Sequence, residues 1–96
     1  MKYVKTGDVL AVRLDPGEEI IASVLKIAKD EDIRFAEISA IGAVGRAVFA
    51  DEKGAVIGGH LNEAVISATC EMFIKIFDID MGRRISEQTG LNIFDI

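Results

Sequence analysis

The chain has 96 residues, half of them hydrophobic and 28% charged, with a formal net charge of −5. That is one domain, 1–96, too apolar to stay disordered and too short to bury more than roughly 60–65% of its unfolded surface. The acidic balance excludes the basic stripe by which a free-standing nucleic-acid binder neutralises phosphates, since the only adjacent basic pair is Arg83-Arg84. Cys70 is the sole cysteine, so no internal disulfide can form, which fits a reducing compartment. The first eight residues hold no apolar signal core and no apolar run reaches membrane length, so the expectation is a cytoplasmic protein with no membrane partner.

Val9 to Leu14 (VLAVRL) reads as a strand. Asp15-Pro16-Gly17-Glu18 reads as a helix start, with Asp15 as cap, Pro16 at the first helical position and Glu18 reaching back. The helix is expected over about 17–30. Ile20, Ile21, Val24, Leu25, Ile27 and Ala28 form its apolar face, and Glu19, Ser23, Lys26 and Asp30 face out. Ile33 to Ile41 is a second strand. The glycines of Gly42-Ala43-Val44-Gly45 read as a turn into a third strand, Arg46 to Ala50. Asp51-Glu52-Lys53-Gly54 reads as a hairpin turn into Ala55-Val56-Ile57, which Gly58-Gly59-His60 ends.

Val65 to Ile79 carries the longest period-two alternation. Ile66, Ala68, Cys70, Met72, Ile74 and Ile76 share one face, and Ser67, Thr69, Glu71 and Lys75 the other, where Phe73 and Phe77 interrupt the polar pattern. Two phenylalanines on a polar face indicate that another surface covers it. Ile85 to Thr89 reads as a helical turn stopped by Gly90, ahead of an apolar tail. The fold class is therefore α+β, a mostly antiparallel sheet with one main helix.

Candidate chemistry is sparse. His60 is the only histidine and follows two glycines, Gly58 and Gly59, where backbone can approach a ligand closely. A zinc site needs three or four ligands, so one histidine favours a structural role and no cofactor, with zinc as the alternative. Arg13 lies mid-strand, paired with a carboxylate or set to meet a substrate anion. Glu71 can pair with Arg13 or Lys75, or serve a binding site. Cys70, on the apolar face, reads as a buried small hydrophobe. Gly42-Ala43-Val44-Gly45 has the spacing of the loop by which KH domains clamp a nucleic-acid backbone. That loop joins two helices, whereas this one joins strands. No catalytic residue is assigned.

Taken together, Val12-Arg13-Leu14-Asp15-Pro16-Gly17-Glu18-Glu19-Ile20, Ile38-Ser39-Ala40-Ile41-Gly42-Ala43-Val44, Ala50-Asp51-Glu52-Lys53-Gly54 through Gly58-Gly59-His60-Leu61, Thr69-Cys70-Glu71 and Ser86-Glu87-Gln88-Thr89-Gly90-Leu91-Asn92 resemble the plants-and-prokaryotes-conserved (PPC) domain in a free-standing prokaryotic form. Against that family pattern a stretch of several strands is missing between Phe49 and Ala50. With it go the His-x-His pair that joins the Gly-Gly-His histidine in the family's metal site, whose aligned positions here hold Val44 and Arg46. The resemblance implies a homotrimer and a fold similar to that of acetolactate decarboxylase, a zinc enzyme. It also implies a DNA-associated role that plant members obtain from a separate AT-hook. The expectation is an oligomerising scaffold domain, regulatory through partners, with weak or absent direct DNA binding. The alternative is a metal-dependent small-molecule enzyme, degenerate here.

Overall fold

A computed structural model describes residues 1–47 and 61–96, with Arg46 and Ala47 as backbone only. The elements are β1 (Lys2–Thr6), β2 (Val9–Leu14), α1 (Ile20–Asp30), β3 (Ala36–Ala47), β4 (Ala64–Ile76), β5 (Arg83–Ile85) and β6 (Asn92–Phe94). The first four strands form an antiparallel sheet in the order β1-β2-β4-β3, and β5 and β6 form a separate two-stranded ribbon. The class is α+β. The hairpin at Asp51–Gly54, the strand at Ala55–Ile57 and the segment Gly58-Gly59-His60 lie outside the described residues.

Strand β2 has the bounds that its alternation indicates. Strand β1 adds to it through the two-residue loop Gly7-Asp8, pairing Thr6 with Val9. Gly7 has φ +58°, the left-handed backbone that the first loop position of such a hairpin requires.

The helix starts at Ile20, three residues after the expected position. Asp15-Pro16-Gly17-Glu18 is a turn, with the Glu18 N–H donating to the Asp15 carbonyl at 3.2 Å and Gly17 at φ +87°. Proline followed by a positive-φ glycine is a turn signature, and it outcompetes the reading of Pro16 as a first helical residue. The Glu18 carboxylate does reach back, accepting from the Asp15 N–H at 2.7 Å. The cap itself is Glu19, whose carboxylate accepts from the N–H groups of Ile21 and Ala22 at 3.0 and 2.7 Å. The same carboxylate accepts from the Ala64 N–H at 3.0 Å, so one side chain ties the start of α1 to the start of β4.

Helix α1 covers one face of the sheet. Ile27 is fully buried against Leu10, Val12, Leu14, Ile66, Cys70, Met72 and Ile74, with Ile20 and Val24 packed at the margin. At roughly 25 cal/mol per Å² of apolar surface removed from water, this single layer supplies the main stabilisation of the fold. Tyr3 and Lys5, at the rim of that face, both reach Glu31 at the helix end, at 3.1 and 3.0 Å.

Strand β3 departs from expectation. Gly42-Ala43-Val44-Gly45 is not a turn but part of one 12-residue strand, paired with β4 and irregular in register between Gly42 and Val44 and between Val44 and Arg46. Neither glycine has positive φ. Gly42 is there for close approach: a Cβ would meet the Thr69 carbonyl oxygen at 2.5 Å and the Cys70 Cα at 2.8 Å. Ala68 faces the register irregularity and is exposed, although it shares the parity of the buried residues. The helical turn expected at Ile85–Thr89 does not form: Ile85 ends β5 and the residues after it make the β5–β6 connection. Ser86 N–H donates to the Leu91 carbonyl and Gly90 N–H to the Ser86 carbonyl, each at 2.8 Å, with Gly90 at φ +71°.

Candidate functional site

The face of the sheet opposite α1 carries no element among the described residues. The pairing register lays out its side chains in rows that cross β1, β2, β4 and β3 in turn. The first row is Lys2, Arg13, Glu71 and Ile41. The second is Val4, Ala11, Phe73 and Ser39. The third is Thr6, Val9, Lys75 and Glu37. The apolar members are open to solvent, with Val4 70%, Phe73 60% and Ile41 76% exposed. An aromatic and two branched aliphatic side chains side by side on an open sheet are unusual for a surface meant for water.

Two hollows flank the ridge formed by Glu71 and Phe73. The larger, about 650 Å³, lies toward β1 and β2, where Lys2, Val4, Ala11 and Arg13 line it. The smaller, about 270 Å³, lies toward β3, against Ser39, Ala40 and Ile41. The site is thus a knob between two depressions, apolar in the middle and charged along one row.

The charges on this face are only partly matched. Arg13 and Glu71 are direct cross-strand partners by register, yet the Arg13 Nε donates to the Asp15 carboxylate at 3.2 Å. Partial burial of Asp15 works against its ionisation, but Arg13, helped by the Met1 amine at 3.4 Å, holds its carboxyl below the usual range. Lys75, the other cation expected beside Glu71, pairs with Asp8 at 3.2 Å. Both intramolecular partners anticipated for Glu71 are therefore engaged elsewhere. On the opposite side of β4, Cys70 is 2% exposed, and burial, with the Glu71 charge as a smaller cause, pushes its thiol pKa up. Such a thiol is a packing residue and a poor nucleophile.

Of the residues singled out in the sequence, the sheet brings Arg13 and Glu71 to one site. Gly58, Gly59 and His60 lie outside the described residues. Among the described residues no three His, Cys, Asp or Glu side chains group closely enough to hold a metal ion, so they do not fit a zinc centre. Lys2 and Val4 belong to the site and were not anticipated. The signal was present in the alternation of Lys2-Tyr3-Val4-Lys5-Thr6 ahead of Gly7-Asp8, a short edge strand with its lysines.

A helix on one face of a mostly antiparallel sheet, with the other face open, defines the molecule as an α+β domain. The chain matches the Plants and Prokaryotes Conserved (PCC) domain over residues 1–50, just over half its length, and belongs to that family. The match ends at Ala50. Among the solved structures that share the fold are two candidate DNA-binding proteins. A candidate DNA-binding protein from Ralstonia eutropha JMP134 has a TM-score of 0.82 at 16% identity, covering 99% of this chain and 96% of that one. A candidate DNA-binding protein from Bacteroides thetaiotaomicron VPI-5482 has a TM-score of 0.79 at 17% identity, covering 98% and 96%. No curated protein matches the chain significantly. No helix among the described residues is long and apolar enough to cross a membrane.

Proposed function

We propose that this chain is an oligomerising scaffold domain of regulatory type, a homotrimer, which joins DNA-associated assemblies through partners and not through its own contacts with duplex DNA. The observation that carries this reading is the uncovered row of Val4, Ala11 and Phe73, with Ile41 beside it, on the sheet face opposite α1. A closed ring of copies would cover that row on every chain.

The DNA association comes from the names of the two structural neighbours and from the family. The chemistry of this chain argues for an indirect route. Lys5, Arg13, Lys26, Arg34, Lys75 and Arg84 each pair with a carboxylate of the same chain, at 2.5 to 3.6 Å. Arg83 lies over the Phe94 ring, 4.7 Å from its centroid. Phosphates would have to displace these partners against a net charge of −5.

Two measurements test the reading. Light scattering on a sizing column is expected to give about three times the 10.4 kDa chain mass at micromolar concentration. A duplex-DNA titration at moderate salt is expected to show no binding below micromolar concentration. A monomer would refute the scaffold. Tight, steeply salt-dependent DNA binding would refute the indirect route.

A further inference from the structure

We infer that Glu71 is the residue that fixes how copies of this chain dock, and that its carboxylate is met by the Arg13 guanidinium of a neighbouring copy, with Lys2 beside it. This rests on the reading that copies cover the open sheet face. Glu71 projects from the centre of that face, next to Phe73, and among the described residues it has no ion-pair partner. Its two expected cations are held by Asp15 and Asp8. Once the face is covered, an unmatched carboxylate loses its water and becomes costly, so the covering surface has to supply a cation.

A second copy supplies one in the right surroundings. The ridge of Glu71 and Phe73 offers a carboxylate beside an aromatic ring. The larger hollow is walled on one side by the chain's own Glu71 and Phe73 and on the other by Val4 and Ala11, with the cations Lys2 and Arg13 at the end where Glu71 also stands. Inserting the ridge of one copy into the hollow of the next buries Phe73 on Val4 and Ala11 and brings Glu71 to the cationic end. Arg13 suits the part. It is half exposed, it binds Asp15 through Nε, and its remaining guanidinium N–H groups are open to a second carboxylate. The contact is heterologous, the crest of the ridge on one copy meeting the β1–β2 side of the hollow on the next, so it propagates from copy to copy until the ring closes. The unmatched charge also provides specificity, because an apolar partner without a cation at that position is rejected.

The test is a charge swap in the full-length chain. Glu71→Arg and Arg13→Glu are each expected to raise the concentration at half-dissociation by about ten-fold or more, as like charges then meet across the contact. The double variant Arg13→Glu/Glu71→Arg is expected to recover most of the assembly, because the pair is restored with its signs exchanged. Far-UV circular dichroism and urea midpoints establish that each variant is folded before its mass is read by sedimentation. A wild-type chain that is monomeric throughout refutes the scaffold reading itself. An oligomeric wild type whose Glu71→Arg variant assembles equally well overturns only the role of Glu71. Single variants that dissociate while the double variant stays dissociated overturn the pairing with Arg13.

Discussion

Single residues settle several matters that composition leaves open. Gly42 is required by distance and not by a turn, so Gly42→Ala should be costly although alanine is the mildest substitution. A methyl group 2.5 Å from the Thr69 carbonyl oxygen forces β3 and β4 apart. The expected loss, read from urea unfolding, is about 1–3 kcal/mol, in the range for overpacked sites. Glu19 is a second such residue, because it accepts from three backbone N–H groups on two elements. Burial opposes its ionisation, but the hydrogen bonds from Ala22, Ala64 and Ile21 outweigh it and lower its pKa. A lowered folded pKa means that its stabilisation is complete above the unfolded value of about 4.3 and is lost as pH falls through the folded value. Glu19→Gln should therefore destabilise the protein at neutral pH by about 1 kcal/mol, as a weakened cap does. The difference from wild type should narrow on acidification below about pH 4, which paired unfolding curves at several pH values would show.

At the scale of elements, the helix buries β2 and β4 on one face of the sheet, where β3 keeps Ile38 43% exposed, and leaves the other face open. Ile27 is fully buried and Leu25, two residues earlier on the same helix, is 64% exposed. Ile27→Ala should cost about 2–5 kcal/mol, whereas Leu25→Ala should stay within about 0.5 kcal/mol of wild type. Equilibrium denaturation of the two variants checks this.

The alternation of β2 and β4 and much of the amphipathic pattern of α1 were legible in the sequence because side-chain parity follows directly from strand and helix periods, but Leu25, expected on the apolar face, is exposed and Glu19, expected to face out, caps the helix and binds Ala64. The helix start was not, since Pro16 and Gly17 serve a turn as well as a helix terminus and only the pairing of Gly17 and Glu18 with Ile66 decides between them. The strand through Gly42 and Gly45 was hidden for a similar reason. Glycine marks both turns and close approaches, and the strand that approaches lies some 25 residues further along the chain. The site was half legible. The alternation placed Phe73 on the polar face of β4, but β4 ends at Ile76 and not at Ile79, so Phe77 lies past the strand and packs on Phe35 with ring centroids 5.7 Å apart. That Arg13 stands across from Glu71 but binds Asp15 is a matter of three-dimensional competition which no spacing encodes.

At the scale of the whole molecule, the central claim is that the open sheet face is covered by other copies of the chain and the outer side of α1 is not. Phe73 and Leu25 make a matched pair for testing it, since they are 60% and 64% exposed and lie on opposite sides of the molecule. A general effect of placing a charge on exposed apolar surface would act on both alike. The decisive measurement is the mass, by light scattering at micromolar concentration, of Phe73→Asp and Leu25→Asp beside the wild type. The account predicts that Phe73→Asp falls to the 10.4 kDa monomer and Leu25→Asp keeps the wild-type mass. An undiminished oligomer in Phe73→Asp, or dissociation in Leu25→Asp alone, would contradict it.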